Sequence, residues 1–216
     1  MTPPLTDRTF AAVLFDNDGT LSDSTEAVRR SWTAWAREHD LDPSSLLGFH
    51  GVPAAAIVKQ VLAPGDHDTA MARIVKLEEG DTEGVVALPG AARALHSVGD
   101  CGAIVTSATR RLAVLRLEAA GLDIPEVMVT VDDITRGKPD PEPYLLAAQH
   151  LKADPTQCLV VEDAPSGLAS AKAAGCATLA LLTTTSSEEL DADLIVPDLS
   201  HVRFVRDADG VRLITG

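Results

Sequence analysis

The sequence predicts an α/β fold: a doubly wound parallel sheet core with a helical cap domain inserted after its first strand. Three observations predict it. An apolar run, Val13-Leu14-Phe15, leads straight into Asp16-Asn17-Asp18-Gly19, as a buried strand leads into its turn. Beyond residue 88, short apolar runs alternate with helical stretches, the pattern of strand–helix–strand units. Between these two regions, residues 22–86 carry helical periodicity and turn residues but no strand signal.

The elements follow in order. Residues 22–39 place Val28, Trp32 and Trp35 at helical spacing, with Ser24 as the expected N-cap and Glu26 in the first turn. Further helices are expected at 53–62 and 69–78, and Gly80, Gly84 and Leu88-Pro89-Gly90 punctuate the return. Strands then fall at 102–106, 127–131, 158–161 and 178–182, with helices at 110–120, 142–151 and 166–174. Residues 202–215 read as a hairpin around Asp207-Ala208-Asp209-Gly210. Thr183-Thr184-Thr185-Ser186-Ser187 reads as an exposed connection. The expected organisation is a Rossmann-like core of residues 1–21 and 87–216, with a cap of residues 22–86.

The 216 residues suffice for such a core and insertion. The formal charge of −14 disfavours nucleic acid or an anionic membrane as partner. No apolar run reaches the length of a membrane span, and the N-terminus has no basic region followed by an apolar core. Cys101, Cys158 and Cys176 form no close pair, which fits a reducing cytoplasm. No obligate protein partner is evident.

Ligands of open α/β sheets sit beyond the carboxyl ends of the strands. There the sequence puts Asp16 and Asp18, Thr106 and Ser107, and Glu162 and Asp163, with Lys138 in a loop before a helix. This set suits phosphoryl transfer. A carboxylate attacking a phosphate dianion meets repulsion, which a cation held by Asp16, Asp163 and the backbone of Asp18 would screen. Lys138 would neutralise further charge, and Thr106 with nearby amides would hold phosphate oxygens. Asp16 would be the nucleophile and Asp18 the acid and base. Glu162 is a further candidate metal contact, although adjacent strand residues point to opposite faces. Arg110 is a weak candidate for phosphate-side support, and Asp132-Asp133 reads as a solvated turn.

These motifs, in this order, resemble the haloacid dehalogenase superfamily, and specifically its phosphatases with a small helical cap. Asp16 matches the nucleophile, Asp18 the acid/base, Thr106 the second-motif hydroxyl and Lys138 the third-motif lysine. Glu162-Asp163 matches the acidic fourth motif. The stretches Ala103-Ile104-Val105-Thr106-Ser107-Ala108-Thr109-Arg110, Gly137-Lys138-Pro139-Asp140-Pro141-Glu142-Pro143-Tyr144 and Val161-Glu162-Asp163-Ala164-Pro165-Ser166-Gly167 resemble the sugar-phosphate and glycerol-phosphate phosphatase branch. The resemblance implies Mg2+ as cofactor and a small phosphorylated metabolite as substrate. It also implies that His50 in the cap loop contacts substrate. Relatives often carry a basic or polar residue just after Gly51, whereas this chain has Val52-Pro53. The two tryptophans are expected to pack the cap rather than touch substrate.

Two alternatives share parts of this pattern. A β-phosphoglucomutase-like mutase would carry a histidine where this chain has Val28, and an apolar residue in place of Thr20. A phosphoreceiver signalling domain would use similar residues but has no cap of this size. Asp18 speaks against a dehalogenase or a phosphonatase, which lack that carboxylate.

Overall fold

The computed structural model describes residues 3–46 and 54–215. Its centre is a six-stranded sheet of β2 (Ala12–Phe15), β5 (Gly102–Val105), β6 (Val127–Val129), β7 (Cys158–Glu162), β8 (Ala177–Leu181) and β9 (Leu194–Val196). The spatial order is β6-β5-β2-β7-β8-β9, and every pairing is parallel. β2 therefore lies in the middle, with Val13 opposite Gly102 on one side and Leu159 on the other. β2, β5, β7 and β8 are buried along their whole length, the reason their sequences show unbroken apolar runs.

Strand alternation divides the core into two layers. Val13 and Phe15 pack with Ile104 and Leu159 against α4 (Ala91–Val98) and α5 (Arg110–Ala119). Ala12 and Leu14 pack with Val105 and Val160 against α6 (Glu142–His150) and α7 (Pro165–Ala173). The expected C-terminal hairpin is β10 (Val202–Asp207) and β11 (Gly210–Thr215), to which β1 (Thr9–Phe10) adds a third antiparallel strand. Phe204 of β10 meets Phe15 edge-on, with ring centroids 5.7 Å apart, so the hairpin closes the first layer.

The chain leaves the core through β3 (Ser22–Asp23) and returns through β4 (Val86–Ala87), which pair antiparallel. Leu88 N donates to Leu21 O at 2.9 Å just below this pair. Between the two crossings lie α1 (Thr25–Glu38), α2 (Ala54–Val61) and α3 (His67–Glu79). They share an apolar cluster of Trp35, Val58, Ala70 and Ile74, separate from the two layers of the sheet. Trp35 is fully buried there, and its indole N–H donates to Ala70 O at 2.9 Å. β1, β3, β4 and β9 are not anticipated from sequence, because runs of two or three residues carry no usable periodicity.

Phe204→Ala should cost about 3–5 kcal/mol, the range for emptying a buried aromatic site. Urea denaturation would register it as a lower midpoint with an unchanged slope.

Candidate active site

The end of β2 delivers Asp16, and the turn that follows delivers Asp18. Gly19 makes this turn at φ +88°, and a Cβ there would collide with the Asp163 carboxylate and with Thr184. The end of β7 delivers Glu162 and Asp163, and the loop before α6 delivers Lys138. These side chains converge on one ammonium group. Lys138 Nζ donates to Asp16 Oδ1 at 2.6 Å, to Glu162 Oε1 at 2.7 Å and to Val105 O at 2.9 Å. All three donor positions are thus satisfied, and Lys138 is buried.

Glu162 is fastened at both oxygens. Oε1 also accepts from Tyr144 OH at 3.0 Å, while Oε2 accepts from the amides of Asp163 at 3.0 Å and Ala164 at 3.1 Å. Gly167, in the first turns of α7, lets the helix approach it, since a Cβ at that position would overlap the Glu162 carboxylate. Asp163 is held by two hydroxyls: Thr20 Oγ1 donates to Oδ1 at 2.9 Å, and Thr184 donates to Oδ2. Asp16, Glu162 and Asp163 each offer an oxygen within 4.8 Å of the others, a grouping that can hold a metal ion.

Asp16 and Glu162 share the lysine, and Asp163 lies buried beside them. Burial pushes Asp16 well above the usual carboxylate range; Glu162 and Asp163 add to this, and Lys138 only partly opposes it. Burial and Glu162 likewise push Asp163 up to about 7, against the hydrogen bonds from Thr184 and Thr20. Burial by itself would weaken Lys138 as a base, but Asp16 and Glu162 reverse that and keep it charged. The site is short of positive charge, and its hard oxygen donors fit a small divalent cation such as Mg2+.

A cavity of about 340 Å3 opens above this cluster, between the sheet and the inserted helices. Asp16, Asp18, Thr106, Ser107, Lys138, Glu162 and Asp163 all line it, so the predicted core residues come together. Thr106 is buried and accepts from the Ala108 amide at 3.1 Å, whereas Ser107 is exposed. His50 lies outside the described residues. Asp18 Oδ1 accepts from Ser24 Oγ at 2.7 Å and pairs with Arg116 Nη1 at 3.0 Å. Arg116 Nη2 reaches on to Glu78 of α3 at 3.2 Å.

Several sequence readings need correction. Ser24 stands at the N-cap of α1 but spends its hydroxyl on Asp18 instead of a helix amide. Trp32 lines the cavity rather than only packing the helices. The 183–187 loop is no mere connection: Thr183 donates to Gly19 O and Thr184 to Asp163. Arg110 turns away from the cavity toward Asp133, at 2.8 Å, and Met128 O, at 2.9 Å. Asp132-Asp133 is correspondingly an anchored turn, in which Asp133 closes a capping box with Thr130. Tyr144, Thr184, Glu78 and Arg116 were missed. Arg116 had a signal, since it interrupts the buried stripe Leu112, Ala113, Leu117 of α5.

A family model described as haloacid dehalogenase-like hydrolase matches residues 13–181. Hexitol phosphatase A of Escherichia coli (strain K12) is 41% identical over 91% of this chain and 95% of its own length. Validoxylamine A 7'-phosphate phosphatase of Streptomyces hygroscopicus subsp. limoneus is 36% identical over 90% of this chain and 97% of its own. The crystal structure of a hydrolase from Pseudomonas syringae superposes with a TM-score of 0.78 at 26% identity, covering 88% of this chain and 94% of that one.

The raised Asp163 carboxyl has a measurable consequence. Between the ordinary value of 3.8 and about 7, the folded metal-free protein holds a proton that the unfolded chain has released. Its stability should therefore fall as pH rises through that window, relative to Asp163→Asn. Mg2+ would reverse the trend, raising the melting temperature more above pH about 7 than near pH about 5. Thermal melts of both proteins across pH, with and without Mg2+, check this; parallel curves would contradict it.

Proposed function

The chain belongs to the haloacid dehalogenase-like hydrolases and is a phosphoric monoester hydrolase; from that premise we propose Mg2+-dependent hydrolysis of a small sugar or polyol phosphate through an aspartyl-phosphate on Asp16. The observation that carries this reading is the convergence of Asp16, Lys138 and Asp163 at one end of a cavity lined on its far side by the inserted helices.

Asp16 is the nucleophile. Lys138 holds its Oδ1 at 2.6 Å, which orients the carboxylate so that its other oxygen can attack phosphorus. Lys138 also offsets charge on the phosphate, and Thr106 and Ser107 hold its outer oxygens. Asp18 gives a proton to the departing alkoxide, then takes one from the water that hydrolyses the aspartyl-phosphate. When bound by Asp16, Asp163 and the backbone carbonyl of Asp18, Mg2+ supplies the positive charge that lets an anion approach a dianion. Glu162 belongs to the same acidic group, but its oxygens already serve Lys138, Tyr144 and two amides, so its main part is to aim Lys138.

Residues 22–86 act as the cap domain over a core of residues 1–21 and 87–216. The cap excludes bulk water and reads the non-phosphate part of the substrate through Val28, Trp32, Ala54 and Ile57, with His50 as a further contact. Val28 lines the cavity where a mutase of this fold would carry a histidine, which favours hydrolysis over phosphoryl return. The free cysteines fit a cytoplasmic location.

Phosphate release from a panel of phosphorylated metabolites, with and without Mg2+, tests the reading. Turnover should need the metal, fall by at least roughly 10³-fold in Asp16→Asn, and fall roughly 10²–10⁴-fold in Asp18→Asn. Undiminished turnover in Asp16→Asn would remove the nucleophile. A stable phosphoprotein without turnover would favour the receiver alternative.

A further inference from the structure

Arg116 is a cation in a place where packing calls for a hydrocarbon. It lies in the buried stripe of α5 with Leu112, Ala113 and Leu117, and it is only 4% exposed. A leucine or methionine would continue that stripe without the cost of desolvating a charge. The guanidinium is instead divided between two segments of the chain. Nη1 meets Asp18 of the core at 3.0 Å, and Nη2 meets Glu78 of α3 at 3.2 Å. Its Nε has no partner among the described residues, so these two carboxylates account for its hydrogen bonding.

The contact with Asp18 is directional. Arg116 Nη1 and Ser24 Oγ both address Oδ1, so Oδ1 acts as an acceptor and a transferable proton must ride on Oδ2. Glu78 sits on the other side of the seam between the inserted helices and the core. At the rim of that seam, Glu79 meets Arg111 at 3.1 Å and Thr109 Oγ1 at 3.5 Å. The buried Glu78 contact depends on α3 resting against α5; if the helices swing away, the guanidinium loses one of its two anchors.

We propose that Arg116 is a positioning residue that couples closure of the inserted helices to the orientation of Asp18. With Glu78 in place, the guanidinium is held from both sides and fixes Asp18 Oδ1, which turns Oδ2 toward the leaving oxygen. With Glu78 withdrawn, Arg116 is tethered at one side only, and Asp18 loses its fixed aim. Proton delivery would then be efficient only over a closed, water-excluding cavity. This inference rests on the acid–base role of Asp18 proposed above and adds a residue that acts through it.

The test compares leaving groups. An alkyl alkoxide needs a proton as it departs, whereas p-nitrophenolate leaves without one. Steady-state kcat and KM are measured for Arg116→Met, Arg116→Lys, Glu78→Gln and Asp16→Asn. The substrates are p-nitrophenyl phosphate and the alkyl monoester that turns over fastest in the wild type. Arg116→Met should lower kcat/KM, which reports the steps up to departure of the leaving group, roughly 10²-fold on the alkyl ester and less than about fivefold on the nitrophenyl ester, while kcat on both esters also carries the shared hydrolysis of the aspartyl-phosphate. Glu78→Gln should show the same substrate bias to a smaller degree, and Arg116→Lys should recover part of the alkyl activity. Equal losses of kcat/KM on both substrates would overturn the proposal. If Arg116→Met fails to fold, the bias in Glu78→Gln and Arg116→Lys decides, and its absence from both is fatal. The underlying reading fails separately, through turnover that survives in Asp16→Asn.

Discussion

Everything at the mouth of the sheet depends on the ammonium of Lys138. Parallel strands end here with three carboxylates in one buried space, an arrangement that would repel itself apart without a fixed cation. Lys138 bonds to Asp16, Glu162 and the Val105 carbonyl at once, so one side chain ties together β2, β5, β7 and the loop before α6. The balance is incomplete, since Asp16 and Asp163 are still pushed upward. The fold therefore holds Asp16 in register and at the same time leaves an electrostatic demand that a divalent ion can meet.

Neutral groups bonded to the carboxylates make that arrangement rigid. Tyr144 and two amides saturate Glu162, so the glutamate cannot drift from the lysine. Thr20 and Thr184 pin Asp163 from opposite sides. Gly19 and Gly167 contribute by having no side chain at all, which lets the β2 turn and α7 close on the carboxylates. On the far side of the cavity α1, α2 and α3 bring their own apolar cluster, so they can pack as a unit. Glu78 meets the core through Arg116, which pairs in turn with Asp18.

Much of this was legible in the chain itself. Asp16 and Asp18 stand in a short motif that follows a strand directly, and Asp163 ends another apolar run, so topology alone brings them to one edge. Lys138 could be placed because its loop lies between a strand and a helix in the same unit. The α/β class follows from unbroken apolar runs alternating with helices, the mark of strands buried on both faces. Tyr144, Thr184 and Glu78 were not legible, and Arg116 showed only as a charge within an apolar stripe, because each acts on a residue far away in sequence. Arg116 and Glu78 are 38 positions apart and Thr184 and Asp163 are 21 apart, and no local period links them. The β3–β4 pair is hidden for the same reason: its two short strands exist only because the chain returns to its point of departure.

The amino-acid sequence by itself determined the kind of chemistry, since the type and order of acidic, hydroxyl and lysine residues at strand ends already specify a phosphate site. It also determined the sheet core and the helical insertion, through hydrophobic periodicity that acts locally along the chain. Only the tertiary structure decided which oxygen of each carboxylate is engaged and which hydroxyls hold Asp163. It alone showed that a buried arginine joins the insertion to Asp18. Those outcomes depend on distances between segments that meet only after folding, and on burial, which sets how strongly charges a few ångströms apart feel one another.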